Sequence, residues 1–557
     1  MFTQDPKKPN NNQLEPITMN LQTLTDSRQW EQHGVALPTF SIDVMREKTI
    51  SEPAWIHFGA GNIFRGYIAR LQQDLLEAGI CDKGIIAVET FDFDIVDKIY
   101  KPYDNLALLV GLYSDGKMEK KIIASVAEAM KADTHDEDSM SRLEKYFTSP
   151  ALQLVSFTIT EKGYTTIDSQ GQPLNSVKTL MENGPKSASH VMGTIAALLC
   201  HRFRNGAHPI AMVSMDNCSQ NGDRLKSGVV SIAKAWEDRN LIETGFVRWL
   251  TQSGNVSFPW SMIDKITPRP AQEVLSVLKE SGIAGMDPIV TATKTFIAPY
   301  VNAEVPEYLV VEDDFPNGRP PLEKAGVFFT SRDTVNKTER MKVTTCLNPL
   351  HTALAVFGCL LGYSSIAAEM KDPDLCELVR RIGYQEGMPV VVDPGIINPG
   401  AFIDQVVGER FPNPFIPDTP QRIATDTSQK IPIRFGETIK SYLNRPEFDV
   451  SELICIPLVL AAWLRYLMGV GDDGTPMAIS PDPMLDDLQR ALNGIAYDNP
   501  DSCTNQLQGI VSNPVLFGVD LSAAGLSDKV TLMFRDMLGG RGAVRNTLQK
   551  YLSRNQC

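Results

Sequence analysis

An apolar run that stops at two glycines and restarts as a helix leaves a chain few folds to choose from. Ala54-Trp-Ile-His-Phe58 reads as a buried strand, and Gly59-Ala-Gly61-Asn62-Ile63-Phe64-Arg65-Gly66 reads as a turn. Tyr67 to Ala78 then has helical apolar spacing at Ile68, Leu71, Leu75 and Leu76, and stops at Gly79. Strand, glycine turn and helix form the first half of a dinucleotide fold. The glycines let the backbone approach a pyrophosphate, and the helix N-terminus offers it unpaired N–H groups. Gly66 falls later than the third glycine of G-x-G-x-x-G, so an ordinary strand-to-helix turn fits the bare pattern as well. A second apolar strand, Gly84-Ile-Ile-Ala-Val-Glu89, ends in an acid and is followed by Asp92 and Asp94. An acid there typically holds the ribose hydroxyls of NAD and repels the extra phosphate of NADP. Glu89 or Asp92 fits that role, with a solvated loop acid as the alternative. No arginine cluster nearby suggests NADP, so NAD is the expected cofactor.

The chain continues in the same alternation. Ala107–Tyr113 and Lys120–Ala127 read as strands of a hairpin-like addition. Leu152–Thr160 reads as a long strand running into Glu161-Lys162-Gly163-Tyr164, with Thr160 and Glu161 at the end where doubly wound sheets bind ligands. Pro209–Met215 is another buried strand and runs into Asp216-Asn217 and Asn221-Gly222. Asn217 can donate a hydrogen bond to a developing alkoxide, or it can close a turn or cap the next helix. Residues 299–313 and 326–330 add β-rich material. From about 333 long helical patterns take over, at 352–370, 373–384, 436–445, 451–468, 482–495 and 528–553. The expected fold class is α/β. An N-terminal arm (1–50) precedes a Rossmann-type domain with extra β elements (51–332). A mostly α-helical substrate and catalytic domain (333–557) follows.

Composition narrows the function. A net charge of −14 over 557 residues argues against a nucleic-acid partner, though a local basic pocket can still take an anionic small substrate. The nine cysteines include no CxxC pair, so a reducing compartment fits better than a disulfide framework or structural zinc. No apolar run reaches the ~20 residues that span a bilayer, so no membrane role is expected. Met1–Pro16 is polar and lacks the apolar core of a signal peptide, so a flexible lead-in and a cytoplasmic location are expected. A monomer and a homodimer are both compatible with this composition.

Chemistry concentrates in Glu339-Arg-Met-Lys342-Val-Thr-Thr-Cys-Leu-Asn348-Pro-Leu-His351, which puts a carboxylate, an amine, a carboxamide and an imidazole at the mouth of an apolar helix. Alone, Lys342 reads equally as a surface lysine pairing with Glu339 across one turn. Five motifs in order carry more. They are Gly59-Ala-Gly61 with Phe64-Arg65; Thr158-Ile-Thr160-Glu161-Lys162-Gly163-Tyr164; Asp216-Asn217 with Asn221-Gly222; Phe258-Pro259 with Ser261-Met262 and Asp264-Lys265-Ile-Thr267-Pro268; and Lys342…Asn348-x-x-His351. Together they resemble the long-chain mannitol dehydrogenase family, which includes mannitol 2-dehydrogenases and the hexuronate reductases, over about 35–545.

The resemblance implies NAD(P)-dependent oxidation of a secondary alcohol without a metal. It implies Lys342 as general acid/base, Asn217 and Asn348 as holders of the substrate oxygen, and His351 on an adjacent hydroxyl. Glu339 resembles a residue thought to gate proton exit, and Asp264, with Lys265 beside it, falls in the substrate pocket. A lysine amine delivers a proton near neutral pH only when burial or nearby positive charge lowers its pKa from ~10.4 towards ~7–8.

Two departures from the family pattern matter. Lys342 stands six residues before Asn348 rather than the usual five, and Pro349 follows. On a straight helix at about 100° per residue, Lys342 and His351 would point to opposite sides. Both facts are satisfied if the helix is broken or π-bulged between Thr344 and Asn348, with Pro349 in a fresh first turn. Second, Phe64-Arg65-Gly66-Tyr67 lacks the histidines common there in polyol-oxidising members.

The basic residues Arg422, Lys430 and Arg434 suit a carboxylate, or else cap a helix and decorate a surface. The expected substrate is a ketohexuronate, with fructuronate–mannonate interconversion preferred. Mannitol or a related polyol, or tagaturonate, is the alternative. From a different class comes a catalytically silent NAD-binding regulator.

Overall fold

The computed structural model describes residues 15–187 and 190–553; these divide into two compact units, one made of the described residues up to 112 with those of 117–332, the other of 113–116 with those from 333 on. The first is built on six strands: β1 (Trp55–Phe58), β2 (Ile85–Glu89), β3 (Val126–Lys131), β4 (Leu154–Phe157), β5 (Ile210–Ser214) and β6 (Val256–Ser257). Their order is β6-β5-β4-β1-β2-β3 and every neighbouring pair is parallel. That is the doubly wound dinucleotide-binding order, whose ligand crevice lies beyond the C-terminal strand ends at the switch between β1 and β4. Ile56, Phe58, Ile86, Val88, Val155, Phe157, Ile210 and Met212 lie on one side in a buried cluster, and Trp55, Ile85, Ala87, Leu154, Ala211 and Val213 in another. Burial on both faces explains why these strands read as continuous apolar runs.

Several boundaries differ from the sequence expectation. The helix after the glycine turn begins at Asn62, and includes a π turn at Phe64–Ile68 before α1 (Ala69–Glu77). Leu152–Thr160 is not one strand: β4 stops at Phe157, and Thr160 opens a short helix, Thr160–Tyr164, with φ of +64°. Lys120–Ala127 spans two sheets. Met118–Ile123 pairs antiparallel with Ala107–Leu112 in a four-stranded sheet, and after Ala124-Ser125 the chain enters β3. The arm is folded from residue 15 onward: Ile17–Thr18 pairs with Ile283–Ala284, and helices occupy Ser27–Gln32 and Ile42–Ser51. The expected lead-in over residues 1–14 lies outside the described residues.

The second unit is helical. The helical run from Arg332 to Leu361 is long and apolar enough by length and composition to cross a membrane, and 83% of its apolar window is buried inside the protein, as in a core helix. Residues 528–553 form two helices, Ser527–Asp536 and Ala543–Ser553, separated by a segment in which Gly540 and Gly542 take positive φ. Helices at Pro399–Gln405, Pro420–Ile423 and Thr427–Arg434 were not legible, and Pro432 lies inside the last of them. Eight described cysteines are free, and Cys557 lies outside the described residues.

Candidate active site

In the first unit, the strand ends of β1, β2, β4 and β5 converge on one rim. Gly59 takes φ of +102°, and a Cβ there would lie 2.2 Å from the Thr158 carbonyl oxygen. Only glycine suits both demands. Gly61 has open space where its Cβ would be, as a close approach by a phosphate requires. Gly222 explains itself similarly: a Cβ would lie 2.4 Å from the Phe258 carbonyl oxygen. Asn221 reaches the same segment, accepting from Ser261 N–H at 3.0 Å.

Glu89 stands at the end of β2 and is buried. Its Oε2 accepts from Ala60 N–H at 3.0 Å, and its Oε1 accepts from Thr90 N–H at 2.9 Å and Phe91 N–H at 3.0 Å. The Glu89 side chain therefore shapes both the glycine turn and its own loop. Asp92 is buried as well, and its Oδ2 accepts from Thr291 Oγ1 at 2.6 Å.

Two expected contact residues are spent on structure. Arg65 is fully buried; it donates to the Ala298 carbonyl at 2.9 Å and to Asn62 Oδ1 at 2.8 Å, and burial lowers its pKa to about 10. Its charge thus anchors Asn62 and the 298 segment instead of presenting to a ligand. Lys265 donates to the Glu304 carbonyl at 2.5 Å and to Glu307 Oε2 at 2.7 Å, so its expected place on the substrate is corrected to a strut. Phe64 is buried, Asn62 and Ile63 are half-buried, and Asp264 is buried at the end of Ser261–Asp264.

Asp216 was missed. It is the acid in front of Asn217, and its carboxylate accepts from Ile159 N–H at 2.9 Å, Thr160 N–H at 3.0 Å and Tyr164 O–H at 2.6 Å. Burial raises its pKa, and these three donors counteract that. It therefore holds Thr160 in its positive-φ conformation and ties the exits of β4 and β5 together. The neighbouring Asn217 is exposed, and Glu161 pairs on the surface with Arg224 at 2.6 Å.

In the second unit, α2 (Arg332–Met341) runs into a π turn, Lys342–Cys346. Leu347 leaves helical geometry at φ −134°, ψ −63°, and α3 (Asn348–Leu361) starts afresh with Pro349 in its first turn. The defect lies where the six-residue spacing and the proline require it, so the straight-helix argument that turned Lys342 away from His351 does not apply. Lys342 is 3% exposed and Glu339 is half-buried. Asn348 and His351 are three apart on α3 and share a face.

His351 is flanked by Phe411, ring centroids 5.2 Å apart. Its Nε2 is buried and lies 3.4 Å from Asp418 Oδ2, outside hydrogen-bonding geometry. Burial first, then the positive charges of Arg434, Arg422, Arg410 and Lys430, push the imidazole down to about 3, so the ring is neutral. Arg434 donates to Thr352 Oγ1 at 2.6 Å, and Lys430 to the Ile423 carbonyl at 3.2 Å, while Arg422 pairs with Asp418. Burial, and next Arg434, lower the Lys430 amine to about 8. The structure thus gathers all three expected cations around His351 and adds Arg410, which lies in another π turn, Val406–Arg410. Nothing local in the sequence marked that arginine. Among the described residues, no group of three or more His, Cys, Asp or Glu side chains could hold a metal ion.

Known proteins share this organisation. Residues 53–324 match the mannitol dehydrogenase Rossmann domain and residues 334–531 the mannitol dehydrogenase C-terminal domain. The D-mannonate oxidoreductase of Thermotoga maritima is 52% identical, over 97% of this chain and 99% of its own length. Mannitol 2-dehydrogenase of Pseudomonas fluorescens, solved with NAD and D-mannitol, is 27% identical with a TM-score of 0.68, covering 97% of this chain and all 100% of that one. A substrate-free D-sorbitol dehydrogenase, 24% identical with a TM-score of 0.77 over 96% of this chain and 100% of its own, shares the fold. The chain belongs to the mannitol dehydrogenase family and is an oxidoreductase.

Proposed function

We propose that the protein interconverts a ketohexuronate and the corresponding hexonate, fructuronate and D-mannonate, with NAD as cofactor. The observation that carries the substrate class is the surroundings of His351: a neutral imidazole with a buried Nε2, ringed by Arg410, Arg422, Lys430 and Arg434. Arg422 is already paired with Asp418, but Arg434 donates to Thr352 and Lys430 to the Ile423 carbonyl, a setting that suits a substrate carboxylate better than a polyol. The 52% identity to a D-mannonate oxidoreductase supports the same choice. Mannitol and tagaturonate are the competing substrates.

The residues of the first unit fit a dinucleotide. The turn at Gly59–Gly61 and the helix start at Asn62 would hold the pyrophosphate, and the Glu89 carboxylate would face the ribose and exclude an additional phosphate, which favours NAD over NADP. Ile63, Phe64 and Thr160 form the flanks of that turn. A bound nicotinamide would take the hydride from the carbinol carbon in oxidation and, as NADH, supply it to the keto carbon in reduction.

The chain's own residues handle the proton. The Lys342 amine, removed from water in the π turn, gives a proton to the substrate oxygen in reduction and takes it back in oxidation. The Asn348 amide donates a hydrogen bond to that oxygen, where negative charge develops. His351 binds the neighbouring hydroxyl, and Glu339, one turn before Lys342, passes the proton to water. Asp264 orients a hydroxyl.

The test is NADH absorbance with fructuronate, tagaturonate, fructose and mannitol with NAD. The proposal expects the highest kcat/KM with fructuronate. A preference for fructose or mannitol would transfer the cation cluster to another role, and tight NAD binding without turnover on any sugar would leave a regulator.

A further inference from the structure

The glycine turn is held by more than glycine. On β1, the buried His57 sits between two hydroxyls, its Nδ1 2.6 Å from Ser156 Oγ and its Nε2 2.8 Å from Thr158 Oγ1. The ends of this chain fix its direction. Thr158 Oγ1 donates to the Gly59 carbonyl at 3.1 Å. A hydroxyl has one hydrogen, so Thr158 accepts from His57, which places the ring proton on Nε2. The bare Nδ1 then accepts from Ser156, and Ser156 Oγ accepts from Trp55 Nε1–H at 2.7 Å. Every hydrogen is used, from Trp55 through Ser156, His57 and Thr158 to Gly59. Phe64, from the helix after the turn, stacks on the imidazole at 4.3 Å and 12°.

The peptide that receives this chain is gripped on its other edge. Ala60 N–H donates to Glu89 Oε2 at 3.0 Å, and the Ala60 carbonyl accepts from Tyr100 O–H at 3.0 Å. The Gly59 N–H donates to the Val88 carbonyl at 2.8 Å. The plane of the Gly59–Ala60 peptide is therefore set by β2 on one side and by the exit of β4 on the other. An imidazole suits the middle of such a chain because its neutral form carries one donor and one acceptor on opposite ring edges.

We propose that His57, Ser156 and Thr158 are positioning residues of the dinucleotide site. They hold the Gly59–Ala60 peptide in the orientation that aims the N–H groups of the following helix at a pyrophosphate, so that binding requires no rearrangement of the turn. This rests on the dinucleotide reading given above. None of the three touches the cofactor; they act through the turn.

The experiment is a fluorescence titration of the full-length protein with NADH, alongside thermal unfolding, for wild type, Thr158→Val and Thr158→Ser. Thr158→Val keeps the shape and removes the donor to Gly59. The expected result is about tenfold weaker NADH binding for Thr158→Val, with Thr158→Ser recovering to within about threefold. Nitrogen NMR of His57 in the wild-type protein should show the neutral tautomer protonated at Nε2, a readout that survives if the valine variant does not fold. Wild-type affinity in a folded Thr158→Val protein, or a ring protonated at Nδ1, would overturn the inference. No NADH binding by the wild type would instead bring down the dinucleotide reading on which it rests.

Discussion

Both units start a helix at a break in regular structure, but they do so with opposite materials. In the first, the start at Asn62 follows a turn whose Gly59 and Ala60 backbone groups are paired, and Arg65 beside it anchors Asn62 and the Ala298 carbonyl. In the second, the start at Asn348 follows a break in a helix, and the break brings a buried amine, an amide and an imidazole to one short stretch. A phosphate needs N–H groups at fixed positions, which backbone supplies. A proton transfer needs a titratable side chain out of water, which only a side chain supplies. The contrast teaches that a charged residue inside a motif can serve the geometry of the backbone, as Arg65 does, rather than the ligand the motif suggests.

The comparison can be broken at either end. Lys342→Ala should lower kcat with fructuronate by about 10³-fold, the size expected for a lost general acid/base, in steady-state NADH oxidation. Gly59→Ala should strike binding instead: its Cβ would meet the Thr158 carbonyl at 2.2 Å in a positive-φ residue, so NADH affinity should fall by about 10²-fold in a fluorescence titration. Arg434→Gln should raise KM for fructuronate by about tenfold and leave that for fructose nearly unchanged, since only the carboxylate loses a partner. Equal effects on the two sugars would detach the cation cluster from substrate choice.

The smallest effect concerns stability against pH, where a buried group in each unit acts with opposite sign. Burial holds His57 at about 3 in the folded protein, below its ordinary 6.5. The unfolded chain takes up a proton that the folded one refuses, so this contribution is lost as pH falls below 6.5 towards 3. Glu369 is fully buried, and its carboxyl is raised from 4.5 to about 9, by burial and then by Asp372. Here the folded protein keeps a proton that the unfolded chain sheds, so stability falls as pH rises from 4.5 through 9. Glu369→Gln should therefore raise Tm at pH 9 by roughly 2–4 °C relative to its effect at pH 5, read by calorimetry. A uniform shift at both pH values would show that Glu369 is ionised in the fold.

The sequence carried the architecture well where one short segment holds the whole signal. Gly59 and Gly61 between an apolar strand and a helix suffice for the turn, and Pro349 with the six-residue spacing suffices for the broken helix. It failed where the partner is distant. Arg65 and Lys265 sit inside motifs, but the carbonyls that consume them belong to Ala298 and Glu304. Asp216 meets donors more than fifty positions earlier, at Ile159, Thr160 and Tyr164. The strand Lys120–Ala127 looks continuous because Ile122-Ile-Ala124 and Val126-Ala127 are separated only by Ser125; only the pairing partners reveal a crossing between sheets at Ala124-Ser125. Arg410 lies in a π turn, which no apolar spacing announces.

The division of labour between the units is tested most directly by the NADH affinity of the Lys342→Ala protein, titrated by fluorescence beside its turnover. The account predicts a dissociation constant within about twofold of wild type in a protein that no longer reduces fructuronate. Affinity weakened tenfold or more, or turnover close to wild type, would contradict it.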